Sequence, residues 1–341
     1  MRALQLMADR DIQLNEIDPP ADPAPGEVQV AVKNVALNHI DVWGWRGMAF
    51  AKRTLPIVIG AEAAGEIVAT GNDVTGLSVG DKVALYGAET CGTCDACREG
   101  RDNLCEDVGG VHGFHLDGFA RERINAKARL CVKVPDGVAI GDAACAPVTY
   151  GTVQHMLFDN ARLKSGEWVL IQAGGSGIGT AAIQLAKAIG ATVVTTVGSE
   201  EKAEKARALG ADHVINYREK RFETITRRLT GKKGVDVVFE HTGADTWNGS
   251  LLCLKRGGRL VTCGATTGAS ATMNLMQLFQ QQYRIFGSFG CTIGNISQAL
   301  DKMTTGDAQP VIDSHITMEN VEAGLARLEN RQVFGKIVMS I

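Results

Sequence analysis

Between Trp168 and Tyr217 the apolar positions switch between the short runs of a strand and the three-to-four spacing of a helix. Trp168, Val169, Leu170 and Ile171 form an apolar run of strand length, and a cluster of glycines follows. Ile178, Ala182, Ile183, Leu185, Ala186 and Ile189 then recur at helical spacing, which predicts a helix that stops at Gly190. A second β-rich run covers 191–197, a second helix covers 200–209, and a third strand lies near His213 to Asn216. This order writes out a βαβαβ unit. A strand, glycine turn and helix in that sequence let backbone approach a pyrophosphate, whose charge the helix N-terminus then holds.

On either side the pattern differs. Residues 1 to about 126 read as short strands (28–35, 57–60, 65–70, 82–85, 119–124) separated by Pro25-Gly26, Gly71-Asn72-Asp73 and Gly80-Asp81, which predicts a small irregular β domain. From about Ala139 to Phe289 helix and strand alternate; beyond Cys291 come amphipathic helices at 296–304 and 318–329 and a closing strand at 335–341. The expected fold class is α/β, with a doubly wound parallel sheet in the middle of the chain.

Composition narrows the function classes. With 341 residues, 45% hydrophobic content, 40 glycines and a net charge of −3, the chain suits a two-domain, loop-rich enzyme acting on a small molecule. It argues against a nucleic-acid binder or a membrane protein. The first residues alternate like strands and do not show a charged start with an apolar core, so the expected location is the cytoplasm.

Within the glycine turn the proposed cofactor contacts are Gly174, Gly175, Ser176, Gly177, Ile178 and Gly179. The glycines fall as GxxGxG, with Ser176 in the middle position of the alternative GxGxxG register, which points to the looser turns of NADPH reductases. About twenty residues on, where NAD sites carry an acid on the ribose hydroxyls, stand Gly198 and Ser199. Ser199, Lys202 and Tyr217 can donate to a 2′-phosphate, so the expected cofactor is NADPH. Glu200 and Glu201 come directly after; they are read either as ribose ligands or as first-turn acids favouring the helix dipole.

Four of the nine cysteines cluster as Cys91, Cys94, Cys97 and Cys105 in CGTCDACREGRDNLC. Thiolates at those separations can surround one tetrahedral ion, so a structural zinc is expected, with no open position for substrate. Cys131, Cys145, Cys253, Cys263 and Cys291 are apolar-flanked and read as buried filler.

Taken in order, these segments, with LGADHVINY and the closing GKIV, resemble the medium-chain dehydrogenase/reductase superfamily over essentially the whole length. The resemblance implies a GroES-like catalytic domain from 1–126 and 290–341 with a zinc lobe near 89–107, a Rossmann NADP-binding domain over 139–289, and a substrate cleft between them. It further implies a homodimer or homotetramer, and cofactor contacts at Gly264 and at Lys336 of the GKIV segment. Zinc alcohol dehydrogenases of the superfamily carry a second, catalytic zinc on a Cys, a His and a Cys; the matching positions here are Asn38, Ala61 and Val148. All three ligands are replaced.

The NHID stretch is instead similar to the zinc-independent quinone oxidoreductase and enoyl reductase branches, which deliver hydride to the β carbon of a conjugated carbonyl. Asn38 is then read either as a donor to the developing enolate or as an Asn holding its own loop. VDVVFEHTGADTW and the segments after it resemble crotonyl-CoA carboxylase/reductases, whose active-site histidine position is His241 here. GFHLDG places Phe114 and His115 where the carboxylating enzymes have an aromatic residue and an acid; His115 in place of the acid favours plain reduction. The expected activity is an NADPH-dependent reductase of α,β-unsaturated carbonyl compounds, either an enoyl thioester or a quinone-like enone. The rivals are a zinc alcohol dehydrogenase with displaced ligands, a reductive carboxylase, and a non-catalytic NADPH-binding protein.

Overall fold

The computed structural model describes residues 1–48 and 53–341. It divides into two compact units, one of 1–151, 291–306 and 312–341, the other of 152–290 and 307–311. The first division falls at Gly151, because the short helix Ile140–Ala143 packs on the first unit's strands.

Unit 1 is built on a seven-stranded sheet in the order Ile312–Ile316, Lys336–Ser340, Glu27–Ala36, Ala63–Thr70, Lys82–Leu85, Cys131–Lys133, with Arg123–Lys127 pairing alongside Glu27–Ala36. A three-stranded sheet of Asp11–Glu16, Arg2–Ala8 and Ile57–Val58 accompanies it. Val28, Val30, Val32, Ile67, Val83, Leu85 and Ile337 fill the shared core, the inward side of alternating strands. Strand 119–124 forms only from Arg123, since Phe119 and Ala120 are buried and bond irregularly to Gly60, Ile59 and Leu4. The helix expected over 318–329 divides into a 3₁₀ turn, Met318–Asn320, and the α-helix Val321–Glu329.

Three neighbouring strands bring unit 1's polar cluster together. Val338 pairs with Ala36 and Ala63 with Val35, both antiparallel. Lys336 and Glu62, at the ends of the two flanking strands, therefore stand on either side of Asn38, which lies just past the central strand and precedes the helix His39–Trp45.

Unit 2 is a six-stranded, all-parallel sheet in the order His213–Asn216, Thr192–Val197, Trp168–Ile171, Val235–Glu240, Leu254–Thr262, Arg284–Gly287. In chain order that is 3-2-1-4-5-6, the doubly wound arrangement, whose direction reverses between Trp168–Ile171 and Val235–Glu240. Burial of both faces suits the Val, Leu, Ile and Phe residues of its central strands, among which the buried Thr195 and Thr196 each donate a hydrogen bond, to Ile171 O and Gln172 Oε1.

Candidate active site and metal lobe

In unit 1 a completely buried carboxylate stands beside Asn38 and Val148, two of the positions that the family resemblance aligns with catalytic-metal ligands. Glu62 is 0% exposed. Its Oε1 accepts from the backbone N–H groups of Val148 (2.7 Å) and Thr149. Its Oε2 accepts from Asn38 Nδ2 (2.9 Å), Thr149 Oγ1 (2.9 Å) and Lys336 Nζ (3.0 Å). Asn38 is fully engaged: Nδ2 also donates to Ala36 O at 3.0 Å, and Oδ1 accepts from Lys336 at 2.7 Å. In this arrangement no amide hydrogen of Asn38 is left for a substrate oxygen, which favours its reading as the residue that holds its own loop.

Lys336 is placed differently from its expected role at the cofactor. Its three ammonium hydrogens point to Leu37 O, Asn38 Oδ1 and Glu62 Oε2, and the residue is 3% exposed. Nearby, Asp41 accepts the backbone N–H of Asn38 at 2.8 Å. Burial raises the Asp41 carboxyl to about 6, against the opposing pull of that hydrogen bond and of Lys336.

The donors around this cluster do not fit a catalytic zinc. Ala61 and Val148 offer only carbon side chains, and the Asn38 oxygen already accepts from an ammonium. Cys145, wholly buried, turns its thiol toward Gly141 O (3.8 Å), and burial pushes that thiol's pKa up. Phe114 is buried beneath the Arg53 guanidinium, 5.7 Å from its ring centroid, whereas His115 is exposed and its Nδ1 accepts from Val111 N–H at 3.3 Å.

The cysteine lobe does fit a zinc ion. The four sulfurs of Cys91, Cys94, Cys97 and Cys105 lie within 4.8 Å of one another, and Cys91 and Cys97 are 3.9 Å apart. Four sulfurs about 2.3 Å from a tetrahedral zinc stand about 3.8 Å apart. Backbone N–H groups of Thr93 and Cys94 donate to the Cys91 sulfur and lower its pKa to about 6, the thiolate form that a zinc requires. Cys97, by contrast, is pushed up to about 12 by burial.

In unit 2 the glycine turn is shaped for backbone contact. A Cβ on Gly174 would lie 2.1 Å from Thr195 Oγ1, and one on Gly179 would lie 2.3 Å from Ala173 O, so only glycine lets turn, strand and helix meet. Ser176 caps the helix Gly177–Ala188 by accepting from Gly179 N–H at 3.0 Å; Ile178 lies in its first turn and Gly175 is buried before it. Ser199 caps the next helix by accepting from Lys202 N–H at 3.3 Å. Tyr217 is exposed, and its hydroxyl is 2.7 Å from where a Gly198 Cβ would stand. Both acids after Ser199 are paired along their helix, Glu200 with Arg207 and Glu201 with Lys205, each at 2.7 Å.

At the reversal of strand order His241 is buried, and its Nε2 donates to Gln172 O at 2.8 Å. Burial lowers its pKa against the opposing pull of Glu240, and because a carbonyl oxygen only accepts, Nε2 carries a proton. Gly264, after the next strand, packs on the His241 backbone so closely that a Cβ there would lie 2.5 Å from His241 O. Behind them Glu240, 0% exposed, accepts from Thr242 N–H, Gly243 N–H, Thr246 Oγ1 and Ser250 Oγ. Ser250 in turn accepts from Gln172 Nε2, and Gln172 Oε1 accepts from Thr196 Oγ1. Glu62, Asp41 and Glu240 are not among the site residues that sequence motifs single out. A signal existed for two of them: Glu62 and Glu240 each interrupt or close an apolar run, IVIGAEAA and VDVVFE.

Two family models match the chain, the first inside unit 1 and the second running from unit 2 into the 291–306 segment of unit 1. Residues 24–136 match the alcohol dehydrogenase GroES-like domain and 177–305 match the zinc-binding dehydrogenase family. The acryloyl-coenzyme A reductase of Metallosphaera sedula is 32% identical over 96% of this chain and 96% of its own length. The quinone oxidoreductase of Salmonella typhimurium is 35% identical over 77% of this chain and 72% of its own. A solved NAD-dependent alcohol dehydrogenase superposes over 100% of both chains with a TM-score of 0.94 and 36% identity. Fold, cysteine lobe and glycine turn, with these matches across nearly the full length, establish that the chain belongs to the medium-chain dehydrogenase/reductase superfamily as an oxidoreductase.

Proposed function

We propose that this oxidoreductase is an NADPH-dependent reductase of α,β-unsaturated carbonyl compounds that works without a catalytic zinc. The observation that carries the reading is the Asn38, Ala61, Val148 set around the Glu62–Lys336 pair, which lacks the ligands a Lewis-acid metal needs. The similarity to an acryloyl-coenzyme A reductase and a quinone oxidoreductase supports the substrate class. Alcohol oxidation, suggested by the similar NAD-dependent alcohol dehydrogenase, is the second reading.

The reduced nicotinamide, when bound, supplies the hydride. Gly174 to Gly179 would receive its pyrophosphate, and the Ser199 and Tyr217 hydroxyls its 2′-phosphate; the pairing of Glu200 and Glu201 with basic residues supports NADPH over NADH. His241, held in one tautomer by Gln172 O, is the residue of unit 2 we place beside the reacting ring. Asn38 contributes by ordering the segment 36–41 through Ala36, Glu62 and Asp41. The zinc of the cysteine lobe is structural.

A homo-oligomer is part of the proposal. The strand Arg284–Gly287 is an open edge of the parallel sheet, and the helix before it, Leu275–Gln281, buries no residue while Leu275, Met276 and Phe279 are 68%, 60% and 64% exposed. A second copy meeting the same edge about a two-fold axis would cover both.

An assay panel of enoyl thioesters, quinones and simple alcohols, each with NADPH and NADH, tests the activity. Reduction of a conjugated carbonyl with a higher kcat/KM for NADPH is the expected result. Turnover of simple alcohols by an enzyme holding two zinc ions per chain would overturn it.

A further inference from the structure

Three oxygens of unit 1 converge on one small volume: the carbonyl of Leu37, Oδ1 of Asn38 and Oε2 of Glu62. Nζ of Lys336 occupies it, at 2.8, 2.7 and 3.0 Å respectively. The side chains of Lys336 and Glu62 are 4% and 0% exposed, so water does not share the charge. A primary ammonium has three hydrogens, and here each has one oxygen, an arrangement closer to an ion in a coordination shell than to a surface ion pair.

We propose that Lys336 is the resident cation of this pocket: it balances Glu62, holds the amide of Asn38, and thereby closes to a divalent metal ion the position at which zinc dehydrogenases bind theirs. This deepens the metal-free reading above and rests on it. The charge count supports it. Glu62 is already neutralised, and Asp41 is the one further carboxylate shown in contact with the Asn38 backbone. A divalent ion beside the ammonium would bring three positive charges against two negative ones in a dry site, which is unfavourable. The shape of Glu62's surroundings agrees. Its five donors come from Asn38, Val148, Thr149 and Lys336, so neither oxygen is free to turn toward a metal.

The proposal makes a demand that simple packing does not. With the side chain of Lys336 cut back, the three oxygens should accept a small free cation in its place. The Lys336→Ala enzyme is therefore melted in potassium, methylammonium and tetramethylammonium chloride at equal ionic strength. It is expected to melt below wild type and to regain most of the loss in the two small cations but not in the bulky one, while wild type is indifferent to the change of cation. Equal melting of Lys336→Ala in all three salts would overturn the proposal.

Two controls keep the result readable. If Lys336→Ala does not accumulate, the neutral pair Glu62→Gln/Lys336→Met carries the test. It should fold and show no preference among cations, and failure of that pair to fold counts against charge balance as the organising cause. Zinc content of wild type after incubation with excess zinc is expected to stay at the cysteine-lobe amount; a second, tightly held zinc contradicts the proposal. Finally, NADPH binding followed by its fluorescence should change less than twofold in Lys336→Ala, and a tenfold weakening would return Lys336 to the cofactor. None of these readouts uses turnover, so an enzyme that reduces no conjugated carbonyl would refute the activity without touching the cation.

Discussion

Glu62 in unit 1 and Glu240 in unit 2 are both sealed from solvent, yet they are stabilised by different means. Glu62 faces a full positive charge, Lys336, together with an amide, a hydroxyl and two backbone N–H groups. Among the described residues Glu240 has no cation as a hydrogen-bond partner; it closes the strand Val235–Glu240, just before the helix Ala244–Cys253, and accepts from two N–H groups and two hydroxyls. The helix start supplies a partial positive charge, and neutral donors supply the rest. The difference teaches where each carboxylate is exposed to damage. A counter-ion that is lost leaves an orphaned charge, whereas losing one of several dipoles leaves the others in place.

The strongest way to break the comparison is Glu62→Leu. It strands the Lys336 ammonium in a dry site and is expected to cost about 3–5 kcal/mol in equilibrium denaturation. A change under about 1 kcal/mol would mean that the ammonium finds water, and the contrast with Glu240 would vanish.

Asp41→Asn sharpens the contrast through pH. Burial raises this carboxyl from 3.8 to about 6 in the folded chain, so the folded state binds its proton more tightly than the unfolded state. Its contribution is therefore most favourable below about pH 4 and is lost as pH rises through 6, by about 3 kcal/mol for a shift of about two units. Denaturation midpoints measured from about pH 4 to 8 should show this decline in wild type, and Asp41→Asn should flatten it. An unaltered profile would place the titration elsewhere.

Glu240→Gln should cost less, about 1–3 kcal/mol, because an amide keeps one acceptor for the donors but turns an N–H toward others. Nuclear magnetic resonance of His241 offers a second reading of the same variant: loss of the neighbouring negative charge should lower the pKa of the ring further. Cys94→Ala acts as the outside reference. It should release the zinc and lower the melting temperature, while leaving the gap between the Glu62 and Glu240 variants unchanged.

Legibility from sequence followed the range over which each feature is determined. The glycine turn, its flanking strand Trp168–Ile171, the strand His213–Asn216 and the cysteine cluster are local in the chain, and their periodicity and spacing sufficed to find them. The end of the first unit was harder, because 140–151 is helical like the start of the second unit but packs on the strands that precede it. The Asn38 amide shows the limit most clearly. Its position in NHID identified a polar residue, but whether its hydrogens are free depends on Ala36 and Glu62, and its oxygen on Lys336, 298 residues away. Lysine within VFGKIVM is itself a warning of a buried charge, since lysine in an apolar run needs a partner; which partner is a matter of sheet register that composition does not carry.

The strand that carries Lys336 lies inside the seven-stranded sheet, between Ile312–Ile316 and Glu27–Ala36. Glu62 and Lys336 are separated by 274 residues, so during synthesis on the ribosome the carboxylate emerges long before its counter-charge. Unit 2, nearly continuous over 152–290, can assemble its sheet in that interval. The first unit cannot: Arg123–Lys127 covers residues 27–31 of its central strand, but the edge at Asn34, Val35 and Ala36 stays open until the strand Lys336–Ser340 inserts. For the nascent chain this is the vulnerable interval: chaperones would find their target in the unit that starts first and finishes last.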